Sequence, residues 1–242
     1  PMYWMTPHGH RCCQHNHAHG WPYYAEHLWL ATPDNGLCGM LYAASRVTAK
    51  VAGGVEVSLC EQTQYPFDDQ LSIHVAVDEP AAFPLYLRVP GWCESPVLRI
   101  NGDSTAADST GGDYLRIERI WRKDDRVDLK LPMTTRTRKW ARNGGCVSVD
   151  HGPLTYSLQI GERYVAQGVP PSAGSELAER PVEEQALWSA WEIFPTTPWN
   201  YGLVLHEGAP AKGFQVVRRR WPENDMPWTH EGVPITLRTT PR

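Results

Sequence analysis

Hydrophobic and polar positions change their period once along this chain. Near the start, Trp21, Tyr24, Ala25, Leu28 and Ala31 recur at helical spacing. Pro22 suits the first turn of such a helix, where its missing N–H leaves no bond unmade. Thr32-Pro33-Asp34-Asn35-Gly36 then stops the helix and turns the chain. No second helical segment follows, so this helix needs a packing partner that the later sequence does not offer. The expectation is the last helix of a helical domain lying upstream.

From Leu37 onward the period is two. Residues 37–42 and 55–60 read as strands. Leu71, Ile73, Val75 and Val77 alternate with Ser72, His74 and Ala76, and Phe83, Leu85, Leu87 and Val89 run up to Pro90-Gly91. Leu98 and Ile100 lead into Asn101-Gly102, a favoured hairpin turn. Leu115 and Ile117, then Val127, Leu129 and Leu131, continue the pattern. Short strands broken by Gly, Pro and Asn turns predict an antiparallel sandwich. Beyond residue 134 a second β region is expected. There, 146–149 and 154–158 flank a turn at His151-Gly152-Pro153, and further strands fall at 191–194, 201–205, 214–217 and 235–237. Residues 161–186 lack alternation and read as a surface excursion. The predicted fold class is mainly all-β, with tandem antiparallel β-sandwich domains. The expected segments are 1–32, 33–133 and 134–242.

Charge narrows the function classes. With 23 Lys plus Arg against 27 Asp plus Glu, the chain lacks the basic balance of a nucleic-acid binder. No apolar run reaches the roughly 18 residues that a membrane helix needs. The opening residues 1–7 are neither basic nor apolar enough for a signal peptide, and they do not read as the natural start of a domain. Eleven Trp and ten Tyr offer flat faces for sugar rings, although packing is the commoner use of an aromatic.

The densest chemistry is Cys12-Cys13-Gln14-His15-Asn16-His17-Ala18-His19. Adjacent cysteines rarely bond to each other, and Cys38, Cys60 and Cys93 sit in strand-like runs where a buried thiol is the default. A reduced, metal-compatible chain follows. Thiols beside imidazoles suit zinc, which prefers sulfur and nitrogen. The spacing is not that of a zinc finger, so further ligands must come from elsewhere in the fold. Three readings stay open on these residues alone: buried core thiols beside surface histidines, a structural metal site, and a metal-activated nucleophile. His17 and His19 would point in different directions if the helix has already begun there.

Cys12-Cys13-Gln14-His15-Asn16-His17, Gly20-Trp21-Pro22-Tyr23 and Ala31-Thr32-Pro33-Asp34-Asn35-Gly36-Leu37 together resemble the non-reducing-end β-L-arabinofuranosidase family, glycoside hydrolase family 127 (GH127). The resemblance continues through Tyr65-Pro66-Phe67, Leu87-Arg88-Val89-Pro90-Gly91-Trp92-Cys93 and Val97-Leu98-Arg99-Ile100-Asn101-Gly102. It extends through Trp121-Arg122-Lys123-Asp124-Asp125-Arg126-Val127 and His151-Gly152-Pro153-Leu154-Thr155-Tyr156 to Pro198-Trp199-Asn200-Tyr201 and Pro227-Trp228-Thr229.

That resemblance implies an (α/α)6 catalytic barrel followed by β-sandwich domains, with residues 1–32 forming the end of the barrel. It implies that Cys12 is the nucleophile and a ligand of a Zn(2+) cofactor, and that Cys13 is a second ligand. A glutamate, a third cysteine and the general acid/base glutamate would all lie upstream. His15, His17 and His19 would line the pocket or orient Cys13 from behind. The implied reaction is retaining hydrolysis of β-L-arabinofuranosides in an oligosaccharide or glycoconjugate, by the whole protein and not by this chain alone. Expected partners are that sugar, the upstream barrel and a second copy in a homodimer, with neither nucleic acid nor membrane. The expected compartment is the bacterial cytoplasm, with periplasm or secretion as the alternative. Two other readings remain. One is a non-catalytic β-sandwich module contacting carbohydrate, with Trp92, Trp121, Trp199 and Trp228 as packing or as platforms. The other is a related pentosidase.

Overall fold

The computed structural model describes residues 4–5, 11–167, 190–206 and 208–240. In chain order the elements begin with β1 (Trp4–Met5), α1 (Arg11–Glu26), β2 (Trp29–Ala31) and β3 (Leu37–Gly39). Then come β4 (Ser45–Val51), β5 (Val55–Thr63), β6 (Gln70–Val77), β7 (Ala81–Arg88), β8 (Val97–Ile100), β9 (Asp103–Thr105), β10 (Tyr114–Trp121) and β11 (Arg126–Lys130). The last are β12 (Thr135–Trp140), β13 (Cys146–His151), β14 (Leu154–Tyr156), β15 (Glu162–Gln167), β16 (Ala190–Pro195), β17 (Gln215–Arg218) and β18 (Ile235–Arg238). The chain is mainly β, in several antiparallel sheets consistent with tandem sandwich domains. Among the described residues no helix is long and apolar enough to cross a membrane.

Two compact units divide the chain. The larger holds residues 22–157 and 205–239; the smaller holds the described residues among 1–21, 158–204 and 240. The larger unit is built on a two-sheet sandwich. One sheet has the strand order β10-β7-β3-β2, the other β4-β5-β6-β11-β8-β9. One pair, β3 with β7, is parallel; the remaining pairs in both sheets are antiparallel. The alternating residues fill the space between the sheets: Leu71, Ile73, Val75 and Val77 are all buried, as are Phe83, Leu85, Leu87, Leu115, Ile117, Val127 and Leu129. Trp121 is fully buried and donates from Nε1 to the Phe83 carbonyl at 2.9 Å. At Asn101-Gly102 the two-residue loop joins Ile100 to Asp103 with both φ angles positive (54° and 89°), as a type I′ hairpin requires.

The same unit carries the sheet β12-β13-β14 and the hairpin β17-β18. Arg218 on that hairpin donates to the Phe67 carbonyl at 3.2 Å, and Phe67 packs against Trp221 and Trp228 at 5.8 and 4.6 Å between ring centres. In the smaller unit, β16 pairs with β15 on one side and β1 on the other.

Several elements differ from those the sequence suggests. The helix starts at Arg11 and ends at Glu26, so Pro22 lies in its C-terminal half and not in a first turn. Trp29–Ala31 is a strand paired with Leu37–Gly39, and the ladder therefore crosses residues 32 and 33. Thr32 closes the turn twice, its amide bonding the Gly36 carbonyl at 3.1 Å and its hydroxyl accepting from the Gly36 amide at 3.0 Å. A short apolar run carries no period long enough to separate helix from strand, and the pairing decides it. Of the expected helical face, Leu28 is buried while Trp21, Tyr24, Ala25 and Ala31 are exposed. Glu162–Gln167 forms a strand inside the expected excursion, the rest of which, 168–186, lies outside the described residues. Residues 201–205 form no strand.

Candidate functional site

Cys12 and Cys13 are the second and third residues of α1. Successive helical residues turn by about 100°, so the two cysteines occupy neighbouring faces. His15 follows Cys12 by three positions and His19 follows His15 by four, which aligns these three along one face; His17 follows Cys13 by four and shares the next. His17 and His19 accordingly belong to different faces. The side chains of residues 11–17 lie outside the described residues, and His19 is exposed.

The other cysteines are free: Cys38 and Cys93 buried, Cys60 half-buried, Cys146 exposed. Among the described residues no group of three His, Cys, Asp or Glu side chains forms a metal-binding cluster. His151, buried in the His151-Gly152-Pro153 turn, is held by the Thr135 hydroxyl at 3.0 Å and serves the β12–β13 pairing. The tryptophans separate by burial. Trp121 belongs to the core cluster and Trp92 packs half-buried against that cluster, whereas Trp199 and Trp228 are 59% and 69% exposed.

A groove of about 440 Å³, with Leu71, Val97 and Leu129 beside its polar side chains, crosses the outer face of the six-stranded sheet. It is lined by Gln62, Gln70, Ser72, Arg99, Arg126, Asp128 and Lys130, whose cross-strand registers place Gln62, Ser72, Asp128 and Arg99 in one row. Arg126 is held by Asp128 at 2.7 Å and by Ser72 at 2.9 Å. Such a face can hydrogen-bond hydroxyls or anions.

Glu61 is the unexpected residue. The β5 register turns Val57 and Leu59 into the core and carries Glu61 in with them, only 2% exposed. Neither carboxylate oxygen has a hydrogen-bond partner of good geometry among the described residues. Burial pushes its pKa up to about 8, while Ser45 and the Ala43 backbone pull partly the other way. Tyrosines surround it. Tyr24 on α1 donates to the Tyr42 carbonyl at 3.1 Å, and the Tyr42 hydroxyl donates to the Arg88 carbonyl at 2.6 Å. Tyr65 meets Tyr42 edge-on at 5.9 Å. Burial raises the pKa of Tyr24 and Tyr42, and the Glu61 charge raises both further. The signal was in the sequence: two positions past Leu59, period two sends residue 61 inward.

Comparison with known proteins adds the family. Residues 36–133 match the family model described as the β-L-arabinofuranosidase GH127 middle domain. A search of curated proteins finds no match. Among solved structures, a glycoside hydrolase is similar at 25% identity and a TM-score of 0.54, over 60% of this chain and 24% of its own. A GH127 β-L-arabinofuranosidase from Geobacillus stearothermophilus T6 is similar at 23% identity and a TM-score of 0.55, over 76% of this chain and 34% of its own. The chain thus spans about a quarter to a third of the length of these structures. The match over residues 36–133 agrees with the family read from the motifs, and the expected mainly β, tandem-sandwich architecture stands.

Proposed function

We propose that this chain, with its GH127 middle domain at residues 36–133, is the C-terminal portion of a retaining glycosidase acting on β-L-arabinofuranosides through Cys12. The observation that carries the reading is the adjacent pair Cys12-Cys13 at the start of α1, shortly before the matched domain. The donor chemistry fits zinc, because two thiols supply half of a four-coordinate set and the family resemblance puts the other ligands upstream. When bound, zinc would hold the Cys12 thiol as an anion at neutral pH.

The Cys12 thiolate attacks the anomeric carbon. A carbon–sulfur bond forms while the glycosidic carbon–oxygen bond breaks, and the leaving oxygen takes a proton from an acid outside this chain. Water then attacks the same carbon, passes its proton to that group and returns the sulfur as thiolate. Two displacements at one carbon preserve its configuration. Cys13 shares the metal, and His15, His17 and His19 orient the pair or line the sugar pocket. The Asp and Glu residues of the sandwich take no part.

A second reading, a non-catalytic carbohydrate-contacting module, draws on the exposed Trp199 and Trp228 and on the polar groove. A related pentosidase differs only in the sugar accepted. The deciding experiment is Cys12→Ser in the whole protein, assayed for pentoside hydrolysis alongside zinc content. The reading expects turnover to vanish in that variant; a fully active variant overturns it.

A further inference from the structure

Glu61 holds a position that its own strand reserves for an apolar side chain, and no described Lys or Arg forms an ion pair with it. A buried carboxylate without donors is strongly disfavoured, whereas the neutral acid is tolerated. The groups facing it come from several elements: Tyr24 from α1, Tyr42 and the Ala43 backbone from the segment after β3, and Ser45 from β4. Tyr65 adjoins Tyr42, and Arg88 from β7 is the cation among the described residues that acts on both tyrosines. Cys38 acts on Tyr42, and Cys93 on Tyr65.

These same tyrosines fasten the end of α1. The Met40 and Leu41 amides bond the Leu28 carbonyl at 2.9 and 3.3 Å, Tyr24 bonds the Tyr42 carbonyl, and Tyr42 bonds the Arg88 carbonyl. Loss of the Glu61 proton to solvent leaves an anion that needs donors. The hydroxyls that interact with it belong to Tyr24, Tyr42 and Ser45, and those of Tyr24 and Tyr42 are already committed to carbonyls. Capturing either one breaks a link in the fastening.

We infer that Glu61 is a positioning residue whose neutral carboxyl keeps the Tyr24–Tyr42–Arg88 chain intact, and whose ionisation releases the C-terminal turn of α1.

The test is hydrogen exchange of residues 22–31 in the 242-residue chain between pH 6 and pH 9, corrected for intrinsic exchange. The unmodified chain should lose at least about tenfold protection there as pH rises, and Glu61→Gln should stay level. An unmodified chain that stays level, or a Glu61→Gln chain that loses as much, overturns the inference. Carbon-13 NMR of the Glu61 carboxyl in the unmodified chain keeps the test open if the variant fails to fold. Its titration should track the loss of protection, and ionisation already complete at pH 6 overturns the inference. Neither readout involves zinc or turnover, so failure here leaves the Cys12 chemistry standing.

Discussion

Asn101 donates from Nδ2 to Oδ1 of Asp125 at 2.7 Å, and the Arg126 amide donates back to Asn101 Oδ1 at 2.8 Å. This pair joins two sequence motifs that carry the family resemblance, the turn after β8 and the turn before β11. Asp125 is 6% exposed; it also accepts from the Arg122 amide at 2.8 Å and sits 3.5 Å from Arg119. These motifs therefore build the scaffold.

Asp125→Ala should destabilise the larger unit by about 1–3 kcal/mol, because it strands a half-buried amide and the Asn101 side chain. Burial acts to raise the Asp125 pKa, but the Asn101 and Arg122 donors and the Arg119 and Arg122 charges outweigh it and leave the value lowered. A folded pKa below the unfolded one gives stability that is present above about pH 4 and is lost as pH falls through the folded value. Urea denaturation at pH 7 and pH 3 checks both: the variant should lose most at pH 7 and less at pH 3.

Glu61 runs the other way. Its folded pKa of about 8 lies above its ordinary 4.5, so the folded state holds the proton more tightly than the unfolded state does. The stability this supplies is complete below pH 4.5 and falls as pH rises toward 8. Glu61→Gln should remove that slope, and at pH 8 it should melt higher than the unmodified chain by the equivalent of a few kcal/mol, on the order set by the shift. Thermal melts at pH 5 and pH 8 check it, with the difference concentrated at pH 8.

Gly36 faces Pro84 so closely that an added Cβ would collide with the Pro84 carbonyl oxygen and ring. Backbone on one side of the contact cannot yield cheaply. Gly36→Ala should cost about 1–3 kcal/mol and loosen the β2–β3 hairpin, visible as faster amide exchange at residues 29–39.

Of the four described cysteines, Cys146 is exposed while Cys38 and Cys93 are buried, and burial raises the pKa of both buried thiols. A thiol reagent at neutral pH should label Cys146 within the native state and reach Cys38 and Cys93 only on unfolding. Peptide mapping after timed labelling reads this out.

The sandwich was legible because its strands alternate strictly; Leu71 through Val77 and Val127 through Leu131 turn inward as period two demands. Strand β4 alternates too, with Arg46, Thr48 and Lys50 opposite Val47, Ala49 and Val51, yet its weak hydrophobicity hid it. Trp29–Ala31 was misread because three residues have no period, and its partner strand settles the matter. Glu61 escaped notice because a charged residue next to Gln62 suggests an exposed strand end, while the register of Leu59 says otherwise. The cysteine pair is legible as a motif, but spacing alone names no further ligand for the proposed zinc, since a metal site assembled from distant segments leaves no local pattern.

The most direct test is the mass of the whole protein quenched in acid during turnover of an activated β-L-arabinofuranoside. The account predicts a gain of one anhydropentosyl unit that maps to the peptide containing Cys12 and is absent in Cys12→Ser. An adduct on a carboxylate residue, or turnover that persists in Cys12→Ser, would contradict it.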